Sequence, residues 1–299
     1  MKRLLILLIL GPSVLFAQFD HYLSALPLVH SDPAQRKVAK LGKKYKITEF
    51  YPSGKTAAIY YQNQIESIET FEYAQEGTEF YESGQVRTSK IADGKRTVIL
   101  ENFLDGSPFR ESVVQGDQIE IKSIYDLAGK VLVKDGTGVG IELVRYGHTA
   151  LLEKGEYKDG KRIGRWESFQ EGKFAVENYK KGKLIDGVSY GDGGTEITYT
   201  QKYKPAYLTA GYERLAKGLV LDAAKVENFI LKDFSVIMDL KITNTGEIQS
   251  YSLMSAAEEP VFLLMELVAA ADYFQWQPAQ LGGQPIGSTY RFKYRNHIR

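Results

Sequence analysis

From Tyr45 to about Thr200 the chain repeats one theme: one or two aromatic residues, then a small or polar turn that closes on Gly, often with Lys or Gln next. It reads Glu49-Phe50-Tyr51-Pro52-Ser53-Gly54-Lys55 and, thirty residues on, Glu79-Phe80-Tyr81-Glu82-Ser83-Gly84-Gln85. Ile124-Tyr125-Asp126-Leu127-Ala128-Gly129-Lys130 repeats it, and Gly155–Trp166, with Tyr157, Gly160 and Gly164, is the fullest copy. Glu177–Gly187 and Ser189–Gly193 close the series, whereas Glu101–Gln118 holds no clean unit. Gly after Ser or Asp supplies the positive φ of a tight turn, and aromatic and β-branched residues on either side form paired strands. A single hairpin cannot bury its own apolar face, so the copies predict a stacked array or meander of hairpins. The aromatics are then core, and the Glu and Lys residues at the turns form a solvated face. Gly136-Thr137-Gly138-Val139-Gly140 reads as a flexible turn between hairpins.

The amino terminus has the form of a secretory leader. Lys2 and Arg3 precede an apolar run from Leu4 through Ala17, interrupted by Gly11-Pro12 and followed by polar Gln18. The run is shorter than the roughly 20 residues that a helix needs to cross a bilayer. Cleavage between Ala17 and Gln18 is expected, with an uncleaved anchor as the alternative. Removing residues 1–17 takes away two positive charges and changes the formal charge from +1 to −1. The expected location is the periplasm. Residues 18–44 read as a lead-in with Pro27, Pro33 and a basic cluster of Lys40, Lys43 and Lys44.

After Lys202–Pro205 glycine thins out. Tyr207–Leu221 and Ala223–Leu231 carry apolar residues at helical spacing. Phe234–Ile242 and Ile248–Leu253 read as a strand pair turning at Asn244-Thr245-Gly246-Glu247, and Pro260 opens a helix to about Tyr273. A final strand, Ser288–Arg295, alternates Tyr290, Phe292 and Tyr294 with Arg291, Lys293 and Arg295. The expected organisation is a leader (1–17), a lead-in (18–44), a mainly β hairpin-repeat domain (45–200) and a small α+β carboxyl-terminal domain (205–299) of β-β-α-β order.

The copies at Gly155–Trp166 and Tyr179–Gly187 resemble the MORN-like repeats of bacterial exported proteins, whose known members are scaffolds and binding modules rather than catalysts. The stretch Tyr207–Tyr294 resembles the carboxyl-terminal domain of TonB-family energy transducers. The residues that carry this likeness are Ile237, Leu240 and Ile242, the turn at Gly246, Phe274-x-Trp276-x-Pro278-Ala279 and Gly283-Gln284-Pro285-Ile286. The resemblance implies a last strand that offers its edge to an extended peptide of an outer-membrane receptor. Tyr290, Arg291, Phe292, Lys293, Tyr294 and Arg295 are therefore the candidate peptide-binding edge, with alternating cations that favour an acidic peptide and discourage aggregation. Trp276 and Pro278 read as core and turn determinants.

Composition narrows the function classes. Lys plus Arg total 38 against 37 Asp plus Glu, which disfavours nucleic acid, and the absence of Cys removes disulfides, thiolate metal sites and a Cys nucleophile. The four His residues show no metal-ligand spacing, and there is no Gly-x-Ser-x-Gly elbow or Walker A loop. No cofactor, no metal and no catalytic residue is expected. The reading is an exported, non-enzymatic binding or scaffold protein of the periplasm or cell envelope, with a protein or peptide partner. The alternative is a TonB-type energy transducer with an uncleaved anchor, although the family's Pro-rich spacer has no counterpart among nine Pro residues.

Overall fold

A computed structural model describes residues 20–26, 35–63, 74–170, 173–209, 234–253 and 275–296. The expected leader and the stretches expected to be helical, Tyr207–Leu221 from residue 210 on, Ala223–Leu231 and Pro260–Tyr273, lie outside the described residues. The described chain is mainly β. Its contacts divide into two compact units, Met1–Val144 with Leu152–Ile185, and Arg145–Leu151 with Asp186–Arg299.

The first strands are β1 (Gln35–Leu41), β2 (Lys44–Phe50), β3 (Thr56–Gln62), β4 (Gly77–Phe80), β5 (Val86–Asp93), β6 (Arg96–Asn102), β7 (Pro108–Gln115) and β8 (Gln118–Tyr125). There follow β9 (Val131–Lys134), β10 (Thr137–Tyr146), β11 (Thr149–Lys158), β12 (Lys161–Phe169), β13 (Lys173–Lys180), β14 (Lys183–Tyr190) and β15 (Glu196–Tyr199). They form one sheet in strict sequence order, each strand hydrogen-bonded to the next. Such a meander sends its connections alternately to two edges. Connections after odd-numbered strands share one edge, here called the short-turn edge although the β3–β4 connection runs over residues 63–76, and those after even-numbered strands share the other, called the long-turn edge although β10–β11 turns in two residues, Gly147-His148.

The two edges use different turn chemistry. At the long-turn edge Tyr51, Tyr81, Phe103 and Asp126 each open the same loop: their N–H bonds the carbonyl four residues on, and their carbonyl accepts from the N–H of Gly54, Gly84, Gly106 or Gly129. All four glycines have positive φ, between 77° and 93°, and the ladder slips by one residue at each loop. This is a type I turn with a glycine bulge, which turns a hairpin without splaying its strands. The unit at Phe103–Gly106 is complete, which corrects the expectation that Glu101–Gln118 lacks one. At the short-turn edge Asp135-Gly136, Asp159-Gly160 and Lys181-Gly182 all have positive φ, as a two-residue hairpin requires. These tips fold back on β8 and on each other. Gly136 N–H bonds the Lys122 carbonyl, Gly160 N–H bonds the Gly136 carbonyl, and Ile121 N–H bonds the Gly160 carbonyl. Only Gly136 of the Gly136–Gly140 cluster is in a turn; Gly138 and Gly140 lie in β10, and Gly140 packs under the Tyr157 ring. That segment is strand rather than flexible connection.

The main core of the first unit gathers Tyr22, Phe103, Phe109, Ile121, Ile124, Val133, Leu152, Tyr157 and Trp166. Tyr157 and Trp166 are buried as expected, but Tyr179 is only half-buried. The lead-in is more than a connector. A short helix at residues 20–25 seats Tyr22 edge-to-face on Phe103 at 6.2 Å, and the Ala25 carbonyl accepts from Leu104 N–H at 2.8 Å. β1 also precedes the first strand that the repeats suggest.

The second unit holds β16 (Tyr203–Lys204), β17 (Tyr207–Leu208), β18 (Phe234–Ile242), β19 (Ile248–Leu253), β20 (Trp276–Gln277), β21 (Ala279–Leu281), β22 (Gln284–Ile286) and β23 (Ser288–Asn296). β18 and β19 pair as expected through a turn at Gly246, and β23 pairs with β18 along its length, giving the order β19-β18-β23. Tyr207–Leu208 is strand, not helix, because it pairs with Trp276–Gln277. The β21–β22 hairpin packs against β14 and β15, where Ser189 Oγ donates to the Gly282 carbonyl at 2.7 Å.

Candidate functional site

Two arrangements stand out, a row of buried charges in the first unit and an edge strand in the second. Register across nine strands aligns Arg36, Glu49, Ala58, Glu79, Thr88, Glu101, Arg110, Ile124 and Val133 as successive partners from β1 to β9. Glu49 accepts from Arg36 and from the Tyr60 hydroxyl at 2.9 Å, Glu79 pairs with Arg87 at 3.2 Å, and Glu101 pairs with Arg110 at 2.5 Å. Glu49 is 5% exposed, so the expectation of a solvated face of turn glutamates is wrong at this position. The reason is geometric. Glu49, Glu79 and Glu101 each stand two residues before the aromatic that opens a long turn, and that offset turns them inward with the Tyr51, Tyr81 and Phe103 rings. The offset is visible in Glu49-Phe50-Tyr51 and Glu79-Phe80-Tyr81 and is the signal that could have found them.

The row leads into a denser cluster. Glu142 on β10, 2% exposed, receives Arg162 Nη2 at 2.6 Å, the Tyr157 hydroxyl at 2.6 Å and Arg110 Nη1 at 3.2 Å. Arg162 also reaches Glu153 at 2.6 Å and stacks over the Trp166 ring at 4.1 Å, with Tyr179 at 5.5 Å. Trp166 meets Tyr157 and Tyr179 edge-to-face at 5.1 and 6.0 Å, and Gly155 leaves the space its indole fills. Burial alone would raise the pKa of Glu142, but Arg162, Arg110 and the Tyr157 hydroxyl outweigh it and hold the carboxyl at about 2. Burial and the Glu142 charge push the Tyr157 hydroxyl up, and burial and Glu177 do the same to Tyr179. A carboxylate that stays ionised beside phenols that stay protonated has no proton to exchange near neutral pH. The cluster's chemistry is that of a brace between β7, β10, β11 and β12. Among the described residues no group of three or more His, Asp or Glu side chains could hold a metal ion.

In the second unit the candidate edge residues Tyr290–Arg295 all lie on β23. Among the described strands β23 has β18 on one side and none on the other. Tyr290 stands opposite Leu240 and stacks edge-to-face on buried Trp276 at 4.8 Å. Arg291 stands opposite Asp239 and makes a bidentate pair with it at 2.6 and 2.7 Å. Asp239 is 2% exposed, so one of the three cations of this strand is engaged inside the sheet. Phe292, Lys293, Tyr294 and Arg295 stand opposite Met238, Ile237, Val236 and Ser235. A shallow cleft of about 450 Å³ lies between the β18–β19 turn and β20, lined by Thr245, Gly246, Glu247, Ile248 and Gln275–Gln277. Comparison with protein-family models, with curated proteins and with solved structures returns no match.

Proposed function

We propose that this protein is an exported, non-enzymatic binding protein of the periplasm or cell envelope, in which a MORN-like hairpin scaffold carries a TonB-like unit that captures an extended peptide by strand addition. The observation that supports this reading best is the position of β23, nine residues long and outermost in the order β19-β18-β23. Main-chain groups on an outermost strand give affinity to any extended segment, and side chains set the choice. Lys293 and Arg295 favour an acidic segment, because Arg291 is neutralised by Asp239.

The test is capture from envelope extracts by the immobilised protein. Amides of consecutive strand residues point to opposite sides, so of Phe292→Pro and Lys293→Pro one blocks the outer edge and the other disrupts pairing with β18. A specific envelope protein lost from the edge-blocked, folded variant supports the reading. Equal capture by that variant overturns it. Amino-terminal sequencing of protein from cells tests the location: Gln18 supports export with cleavage, and Met1 favours an anchored transducer.

A further inference from the structure

One end of the β23 edge is closed. The turn between β10 and β11, Gly147-His148, belongs to the second unit and lies against the start of β23. His148 N–H bonds the Gly287 carbonyl at 3.0 Å, and His148 Nε2 lies 3.1 Å from Thr289 Oγ1. A Cβ on Gly147 would fall 2.7 Å from that carbonyl oxygen and 3.0 Å from Ser288 Cβ, so no strand passes between the turn and residues 287–288. Register orders the rest of the edge. Ser288 stands opposite Ile242 on β18, and His148 takes the Gly287 carbonyl from the other side. Main-chain groups of successive residues alternate between the two sides of a strand, so Thr289, Arg291, Lys293 and Arg295 present theirs outward as Gly287 does. The open stretch runs from Thr289 to Arg295 and stops at His148. The closed end is cationic. Thr289 stands directly opposite Lys241, and opposite residues of paired strands hold their side chains about 5 Å apart on one face. Lys241, Thr289 and His148 are all exposed. The carboxylate of the next pair on that face, Asp239, is buried and held by the Arg291 guanidinium. Glu247 belongs to the turn toward β19, on the side of β18 away from β23.

We propose that this edge takes the carboxyl-terminal end of a protein partner: the partner's last residues add antiparallel to β23, and the terminal carboxylate meets His148, Thr289 and Lys241. The proposal rests on strand addition at β23 and gives it an end, a direction and a charge. A strand antiparallel to β23 brings its carboxyl terminus to the Thr289 end, whereas a parallel strand brings its amino terminus there, against Lys241. A strand that continued past Thr289 would have to leave the edge at the β10–β11 turn and give up main-chain bonds. At roughly 3.4 Å per residue the stretch from Thr289 to Arg295 spans about 20 Å, room for about seven residues of the partner.

Random short sequences displayed at the carboxyl terminus of a carrier, with and without a further Gly-Ser tail, are selected on the full chain purified from cells. The expected result is enrichment from the free-ended library, aligned on the last residue. A synthetic copy of an enriched sequence should bind at least about tenfold more weakly once its carboxylate is amidated. His148→Ala and Lys241→Glu should each weaken the free-ended peptide more than the amidated one, a pattern that loss of folding does not produce. A photoreactive group on the last residue of the peptide should crosslink beside Thr289, and one on its first residue beside Arg295. Equal enrichment with the tail, or indifference to amidation, overturns end capture and leaves strand addition standing. Reversed crosslinks give a parallel strand and overturn the proposal. Enrichment from neither library overturns strand addition itself and end capture with it.

Discussion

At the scale of single residues the decisive group is Glu142, which satisfies two guanidiniums and a phenol at once. Replacing it with Gln leaves Arg162 and Arg110 short of a counter-charge inside the core, and the expected cost is about 3 kcal/mol by denaturant unfolding. The same carboxyl gives stability a pH dependence. Its folded pKa of about 2 lies below the ordinary 4.5, so the folded state resists protonation. Its contribution, on the order of 3 kcal/mol, is complete above about pH 4.5 and is lost as pH falls toward 2. Burial raises the pKa of Glu79 despite Arg87, so that group acts in the opposite sense. An acid titration that shows the parent and Glu142→Gln converging below about pH 3 would confirm the assignment; a constant gap would reject it. A methyl group tests the neighbouring packing: Gly155→Ala puts a Cβ inside the Trp166 indole. It should destabilise by about 1–3 kcal/mol, whereas Gly54→Ala, with open space and only its positive φ of 79° against it, should cost about 1 kcal/mol.

Among elements, the long turns behave as interchangeable parts joined by a phenol. Tyr51 Oη donates to the Phe80 carbonyl at 2.5 Å and Tyr81 Oη to the Asn102 carbonyl at 2.7 Å, so each ring fastens the next turn from the same place. Tyr51→Phe and Tyr81→Phe should each cost about 1 kcal/mol, measured by chemical denaturation, and the double variant should equal their sum if the contacts are independent. These turns were legible in the sequence because glycine and aromatics mark them directly: Gly54, Gly84 and Gly129 fall at the strand junctions expected of them, as do Gly160 and Gly182 at the opposite edge. Strands β18, β19 and β23 were legible for the same reason, through period-two alternation around the Gly246 turn. What alternation does not contain is curvature. Glu142 looks like a surface residue until Arg110 of β7 and Arg162 of β12 close on it, and no local pattern states that. Nor does composition reveal that Tyr22, in a stretch without repeats, is 4% exposed in the core.

For the whole molecule, the two Trp residues report on the two compact units separately, Trp166 on the first and Trp276 on the second, each almost fully buried. In a Trp276→Phe background the fluorescence midpoint should fall on adding Glu142→Gln, and in a Trp166→Phe background the same addition should leave it unmoved. Equal shifts would mean that the units unfold as one. The seating of the helix at residues 20–25 also limits how far residue 17 can stand from the core. Only residues 18 and 19 separate Ala17 from that helix, and two residues reach no further than about 7 Å. If residues 4–17 are held in a bilayer, Tyr22 can occupy its place against Phe103 only with the first unit close to the lipid surface. If residues 1–17 are instead cut away after Ala17, that limit on where the core can close is lifted.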